Sequence, residues 1–171
     1  MADQFVAGFH ALSDFVIPFD DYPAPLISHR KVRFGDSDSA RIAYTVRLFD
    51  YSMEALEDWF ETVLGLDWYR MNTEFMVGTP FVHAALDMSA PVKPGDVISV
   101  TVRVLERGNS SLRFQVTAVR QDGVAAFGGE WVCSLVDTTV MKSIPIPPQL
   151  AARIDEYQQR CGVTDEQAAS V

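Results

Sequence analysis

The chain has 171 residues, 48% hydrophobic and 22% charged, with a formal net charge of −9. That length suits one domain with a substantial core, and no apolar run approaches the ~20 residues that a membrane span needs. The negative charge excludes a broad electrostatic affinity for nucleic acid, which depends on Lys and Arg neutralising phosphates, so any polyanionic ligand requires a local basic patch.

The first 25 or so residues read as an extension. Their opening stretch is acidic and lacks the basic segment and uninterrupted apolar core of an export signal, which predicts a cytoplasmic protein. From Leu26 to Phe34, LISHRKVRF mixes apolar and basic residues with partial alternation and predicts a strand with one wet face. RFGDSDSARIAY, Arg33 to Tyr44, then breaks the strand and places Asp36 and Asp38 one residue apart. Beyond it Phe49, Met53, Leu56, Phe60, Val63 and Leu64 recur at steps of three and four, with Asp50, Glu54, Glu57, Asp58 and Glu61 between them. This predicts an amphipathic helix that starts at Tyr44 or Thr45, with the threonine an acceptable cap, and ends near Gly65.

After Pro80 the period changes to two. FVHAALDMSA, VISVTVRVLE, SLRFQVTAVR and VAAFGGEWVCSLVD predict four strands, and their turns (Lys93-Pro94-Gly95-Asp96, Arg107-Gly108-Asn109-Ser110 and Gln121-Asp122-Gly123) predict an antiparallel meander. Gly128-Gly129 marks a bulge or a close backbone approach. MKSIPI extends the sheet after a bend, and QLAARIDEYQQR forms a short terminal helix before a tail, together about residues 149–171. Cys133 and Cys161 have neither close spacing nor histidine partners suited to a metal, and are read as free thiols.

One strand, a long helix and a run of antiparallel strands describe an α+β domain whose sheet wraps its apolar face around the helix. The first N–H groups of that helix have no partner within it, so its mouth can dock a polarised carbonyl or an anion. Asp36 and Asp38 stand just before it. From the residues alone they are turn and helix-start residues satisfying backbone N–H groups, or a catalytic carboxylate with a structural companion.

GDSDSARIAY, the following helix, and VGTPFVHAALDMSAPVKPGDVISVTVRVLERGNSSLRFQVTAVR together resemble the hot-dog-fold acyl-CoA thioesterases of the 4-hydroxybenzoyl-CoA type, from about Lys31 to about Val136. The resemblance implies one hot-dog domain over residues 1–171. It makes Asp38 the catalytic carboxylate, as nucleophile or general base, and the Thr45 backbone N–H the donor to the thioester oxygen. Asp36 braces the turn. Tyr44, Phe49, His83 and Arg41 become substrate-binding residues, while Arg107, Asn109, Ser110, Ser111 and Arg113 become the CoA-binding turn and strand start. Ser39-Ala40-Arg41 departs from the small segment, such as Pro-Ala-Gly, that follows the family's aspartate, and Val46-Arg47-Leu48 alters the start of the helix.

The implied activity is hydrolysis of an aromatic or short-to-medium acyl-CoA, with the thioester as substrate, no further cofactor and no metal. Nucleic acid and membrane are not expected partners; a homodimer or homotetramer is. Two other readings stand beside it: a hydratase or dehydratase of the same fold, which pairs Asp with His in one short motif, and a non-catalytic acyl-CoA-binding module. The helix acids Glu54, Glu57, Asp58 and Glu61 offer no single privileged carboxylate and read as a solvated face.

Overall fold

A computed structural model describes residues 12–162. In chain order the elements are β1 (Leu26–Lys31), a 3-10 turn (Phe34–Asp36), α1 (Thr45–Leu64), α2 (Trp68–Thr73), β2 (Val77–Gly78), β3 (Phe81–Ala84), β4 (Asp87–Met88), β5 (Val97–Arg107), β6 (Ser111–Arg120), β7 (Ala125–Ser134), β8 (Val136–Asp137), β9 (Lys142–Ser143) and α3 (Pro148–Arg160).

The long helix forms where its apolar period predicts. Leu48, Leu56, Trp59, Phe60, Val63 and Leu64 are buried, while Glu57 and Glu61 face solvent. It stops at Gly65, whose φ of 71° is a left-handed cap that glycine adopts without strain. Tyr44, not a threonine, occupies the cap position and makes no side-chain cap bond; Thr45 is the first helical residue. Glu54 and Asp58 are not simply solvated. Arg30 of β1 holds them at 2.6 and 2.7 Å, and the Ser28 hydroxyl donates to Asp58 at 2.6 Å, so the strand is tethered to the helix flank.

The main sheet is antiparallel with order β1-β5-β6-β7-β3, and β4 continues along β7. Ile98, Val100, Val102, Val104, Leu112, Phe114, Val116, Trp131 and Cys133 point inward onto the helix, giving the α+β hot-dog layer. The predicted meander holds for β5, β6 and β7. FVHAALDMSA instead splits into β3 and β4 and pairs with β7 rather than β5. The segment after it leaves that edge, passes the helix mouth where the Ala43 N–H donates to the Val92 carbonyl, and reaches Val32 beside β1 through the Gly95 and Asp96 turn. The prolines at 91 and 94 lie in this crossing, where no ladder bond is needed.

Gly129 is a site of close approach: a Cβ there would lie 1.9 Å from the Ala85 carbonyl oxygen. MKSIPI does pair, but in a small separate sheet of order β2-β8-β9. The terminal helix α3 lies beside α1, and its Tyr157 hydroxyl donates to Val102 O and accepts from Leu26 N, at 2.6 and 2.9 Å. Residues 12–25 of the extension are strapped to α3. The Gln149 amide donates to the carbonyls of Leu12, Ser13 and Phe15, while the Arg153 and Arg160 guanidiniums stand over the Tyr22 ring. The first eleven residues of the extension and the tail after Gly162 lie outside the described residues.

Candidate active site

The loop from Arg33 to Tyr44 is built around Asp36. Its carboxylate accepts the Arg33 N–H at 2.7 Å, its carbonyl accepts the Tyr44 N–H at 2.8 Å, and Arg47 from the first turn of α1 reaches it at 3.5 Å. The buried Tyr51 hydroxyl, one helical turn further on, faces the same carboxylate without a close hydrogen bond. The Arg33 N–H, more than any other group, holds the Asp36 carboxyl below its ordinary range, with Tyr51 and Arg47 adding to it. Burial and the Asp36 charge push the Tyr51 phenol upward.

Asp38 has different surroundings. Its side chain is exposed and accepts the Ala40 N–H at 2.8 Å, an Asx turn, while its backbone bonds to Ile42 O and receives the Arg41 N–H, both at 3.0 Å. Arg41 therefore sits in a turn with φ 62°, a left-handed conformation that costs a non-glycine residue roughly 1–2 kcal/mol. A small segment ending in glycine fits this geometry without strain. The departure noted in the sequence is thus a backbone feature as well as a change of side chain.

Behind the loop the helix begins. The Thr45 N–H has no acceptor among the described residues, as the first donor of a helix should. Thr45 lines a cleft of about 270 Å³ with Ile42, Ala43, Leu48, Met88 and Val92 among its neighbours. The cleft is largely apolar, with the helix's positive end at one wall. Asp38 is exposed, one backbone hydrogen bond from the cleft-lining Ile42, and its carboxylate is not part of the lining. Met88 comes from the end of β4 and Val92 from the crossing segment after it, neither of which sequence periodicity connects to the helix mouth. A larger apolar cleft of about 470 Å³ lies farther along the helix between Met53, Trp68, Phe81 and Val136.

The other predicted residues divide. Tyr44 is exposed at the mouth, whereas Phe49 turns into the sheet and meets Trp131 edge-on at 5.6 Å. His83 does not share a face with Phe81, because a register shift between them sets Phe81 opposite Cys133 and His83 opposite Val132. Phe81 thus packs inward against Trp131, and His83 turns to the outer face beside Gln115, Thr117 and Glu130.

The predicted CoA turn is remote from Asp38 within one chain. The Asp38 loop follows the end of β1 where Lys31 pairs with Val97, and Arg107 ends the other side of the 11-residue β5. At ~3.3 Å per residue the two ends are about 35 Å apart. Arg107 is also engaged: Asp155 of α3 receives its guanidinium in a forked pair at 2.6 and 2.8 Å. Arg113 is held between Glu106 and Glu130 on the outer face, at 3.2 and 3.7 Å. Asn109 and Ser110 use their carbonyls on the Ile146 and Leu135 N–H groups, and the Ser111 carbonyl accepts from Gly108. The structure accordingly does not bring Arg107, Asn109, Ser110, Ser111 and Arg113 together with Asp38 and Thr45.

Known proteins resemble the chain over most of this architecture. A 1,4-dihydroxy-2-naphthoyl-CoA hydrolase from Prochlorococcus marinus (strain MIT 9515) is 27% identical over 152 residues, 80% of this chain and 96% of that protein. A solved thioesterase-superfamily structure from Jannaschia sp. CCS1 superposes with a TM-score of 0.72 at 31% identity, over 81% of this chain and 96% of its own. The fold is shared with a 1,4-dihydroxy-2-naphthoyl-CoA thioesterase from Synechocystis, with TM-score 0.70 and 19% identity over 76% and 95% of the two chains. The profile of the thioesterase-like superfamily matches residues 32–154, which take in the Asp36–Asp38 loop, α1 and the whole main sheet after β1, and the chain belongs to that superfamily.

Proposed function

We propose that the protein is an acyl-CoA thioesterase of the 4-hydroxybenzoyl-CoA thioesterase type, hydrolysing an aromatic or short-to-medium acyl-CoA to the free acid and CoA. The observation that carries this reading is the unpaired Thr45 N–H opening into an apolar cleft immediately behind the Asp38 loop. A thioester carbonyl seated in the cleft mouth has its oxygen at the Thr45 donor, where developing negative charge gains from the helix terminus. Asp38, carried on the rim, attacks the carbonyl carbon or takes a proton from water that does. Both routes lead to the same balance: the C–S bond breaks, CoA leaves as the thiol, and water supplies the acid's new oxygen. The reaction so described uses no cofactor beyond the CoA ester itself and no metal.

The apolar lining by Ile42, Leu48, Met88 and Val92 favours a flat or short hydrophobic acyl group. The Prochlorococcus relative, named for a bicyclic aromatic acyl-CoA, supports the aromatic end of that range. His83 lies on the outer sheet face and His29 bonds Ser99 on β1 and β5, so neither is paired with Asp38 as the Asp–His reading of a hydratase needs. The test is a panel of benzoyl, hydroxybenzoyl, naphthoyl, acetyl and hexanoyl CoA esters assayed for thiol release, repeated with Asp38→Asn. Aromatic preference and a loss of at least ~100-fold in kcat for the variant are expected. Near-normal turnover by Asp38→Asn removes Asp38 from the chemistry, and tight binding without thiol release across the panel identifies an acyl-CoA-binding module instead.

A further inference from the structure

The thioesterase reading leaves the CoA phosphates without a partner on the chain that supplies Asp38, and we propose that Arg41 fills that role. The inference rests on the assignment of CoA esters as ligands. The chain is acidic overall, at −9, so phosphate binding depends on a particular cation placed where the CoA portion leaves the cleft. Arg107 and Arg113, the residues singled out for this from sequence, stand at the far end of β5 and are held by Asp155, Glu106 and Glu130.

The cations near Asp38 are not equivalent. Arg47 is committed to Asp36 and Asp50, at 3.5 and 3.0 Å, Arg33 bears on the Asp36 carboxylate, and Arg120 is held by Asp122 and the Pro91 carbonyl. Arg41 is exposed, three residues from Asp38, and makes no ion pair among the described residues. Its backbone N–H closes the Asp38 turn, so the side chain springs from the loop that carries the carboxylate. The adjoining Ile42 lines the cleft into which Thr45 points. An arginine rooted next to a cleft-lining residue has the reach to meet the diphosphate where pantetheine emerges into solvent.

The backbone adds an independent argument. At φ 62° glycine or asparagine is the comfortable residue, and Arg41 is one of only three non-glycine residues with positive φ among those described. Arginine brings nothing to that turn conformation. What it adds is a positive charge on a long side chain that can reach phosphate oxygens.

The test is titration calorimetry of free CoA against the intact chain and two variants. Arg41→Asn keeps a residue that tolerates left-handed backbone and removes the charge; Arg41→Lys keeps the charge. The wild type binds CoA with an affinity that falls as salt rises, Arg41→Asn binds about tenfold more weakly with a flatter salt dependence, and Arg41→Lys retains most of the affinity. Equal CoA affinity in wild type and Arg41→Asn overturns the proposal while leaving the thioesterase reading intact. So does an equal loss in both variants, since it assigns the effect to loop shape and not to charge. Absence of any CoA binding by the wild type overturns the thioesterase reading and the Arg41 role with it.

Discussion

Asp36 and Asp38 are separated by one residue and do different work, because only one of them is enclosed by donors. Asp36 takes the Arg33 N–H, faces Tyr51 and is reached by Arg47. These contacts lower its folded pKa below the ordinary 3.8. A carboxyl depressed on folding contributes stability that is fully present above its unfolded value and lost as pH falls through the folded one. Asp36→Asn should therefore lower Tm at pH 7, and the Tm gap between the two proteins should narrow as pH falls below about 4. Thermal melts at pH 7, 4 and 3 check this, and a gap that stays constant rules out the ionised carboxylate as the source. Arg41 is predicted to behave in the opposite sense. Relief of ~1–2 kcal/mol of left-handed strain exceeds the ~0.4–1 kcal/mol of added unfolded-state entropy that glycine brings. Arg41→Gly should raise Tm by about 1–4 °C by calorimetry, and a lower Tm would show that the arginine stabilises the loop after all.

At the scale of elements, α1 was legible from end to end, since six apolar residues at helical spacing and a glycine stop leave little freedom. The strands β5, β6 and β7 were equally clear, being long, alternating and joined by short polar turns. What sequence could not reveal was pairing that depends on distant backbone. Phe81, His83 and Ala85 stand at a spacing of two, which an unbroken strand would put on one face, yet the shift opposite Cys133 and Val132 turns His83 outward. In the candidate site the loop before the helix was read from the residues and the roles of Asp38 and Thr45 from the resemblance, whereas nothing local joins Met88, at the end of β4, or Val92, on the crossing segment, to the helix mouth. The pairing of Arg107 was hidden for a related reason: its partner Asp155 is 48 residues away, on a helix whose docking no local pattern encodes. That docking yields a prediction. Tyr157 satisfies Val102 O and Leu26 N at once, joining α3 to β5 and β1 inside the core. Tyr157→Phe leaves both backbone groups buried and unpaired, costing about 2 kcal/mol and lowering Tm by about 4–8 °C. A shift under 1 °C would mean that water or a rearranged helix takes over the two bonds.

The whole molecule, taken as one chain, leaves its chemistry uncovered. Asp38 is exposed, and Phe34 at 87%, Val82 at 71%, Tyr44 at 55% and Val46 at 51% accessibility are large apolar residues in open solvent around the helix mouth and the β3 edge. β3 ends the main sheet, with one side bonded to β7 and the other without a strand among the described residues. An apolar edge of this kind pairs with another chain unless something blunts it. The occupant we propose is a second copy: antiparallel pairing of two β3–β4 edges lays the Phe81 end of each chain against the Met88 end of the other. Since Met88 lines the mouth cleft, that pairing brings the second chain to the open side of each cleft and excludes water from it. Val82→Lys places a charge in the middle of the edge without touching the inward core. By sedimentation velocity the wild type should run at twice the chain mass and the variant at the chain mass, with the helical circular dichroism unchanged. kcat/KM should fall at least ~10-fold in the variant, because a thioester oxygen at the Thr45 donor gains less when water shares the site. A wild type that sediments as a single chain, or a monomeric variant with full turnover, would place the complete active site within one protomer.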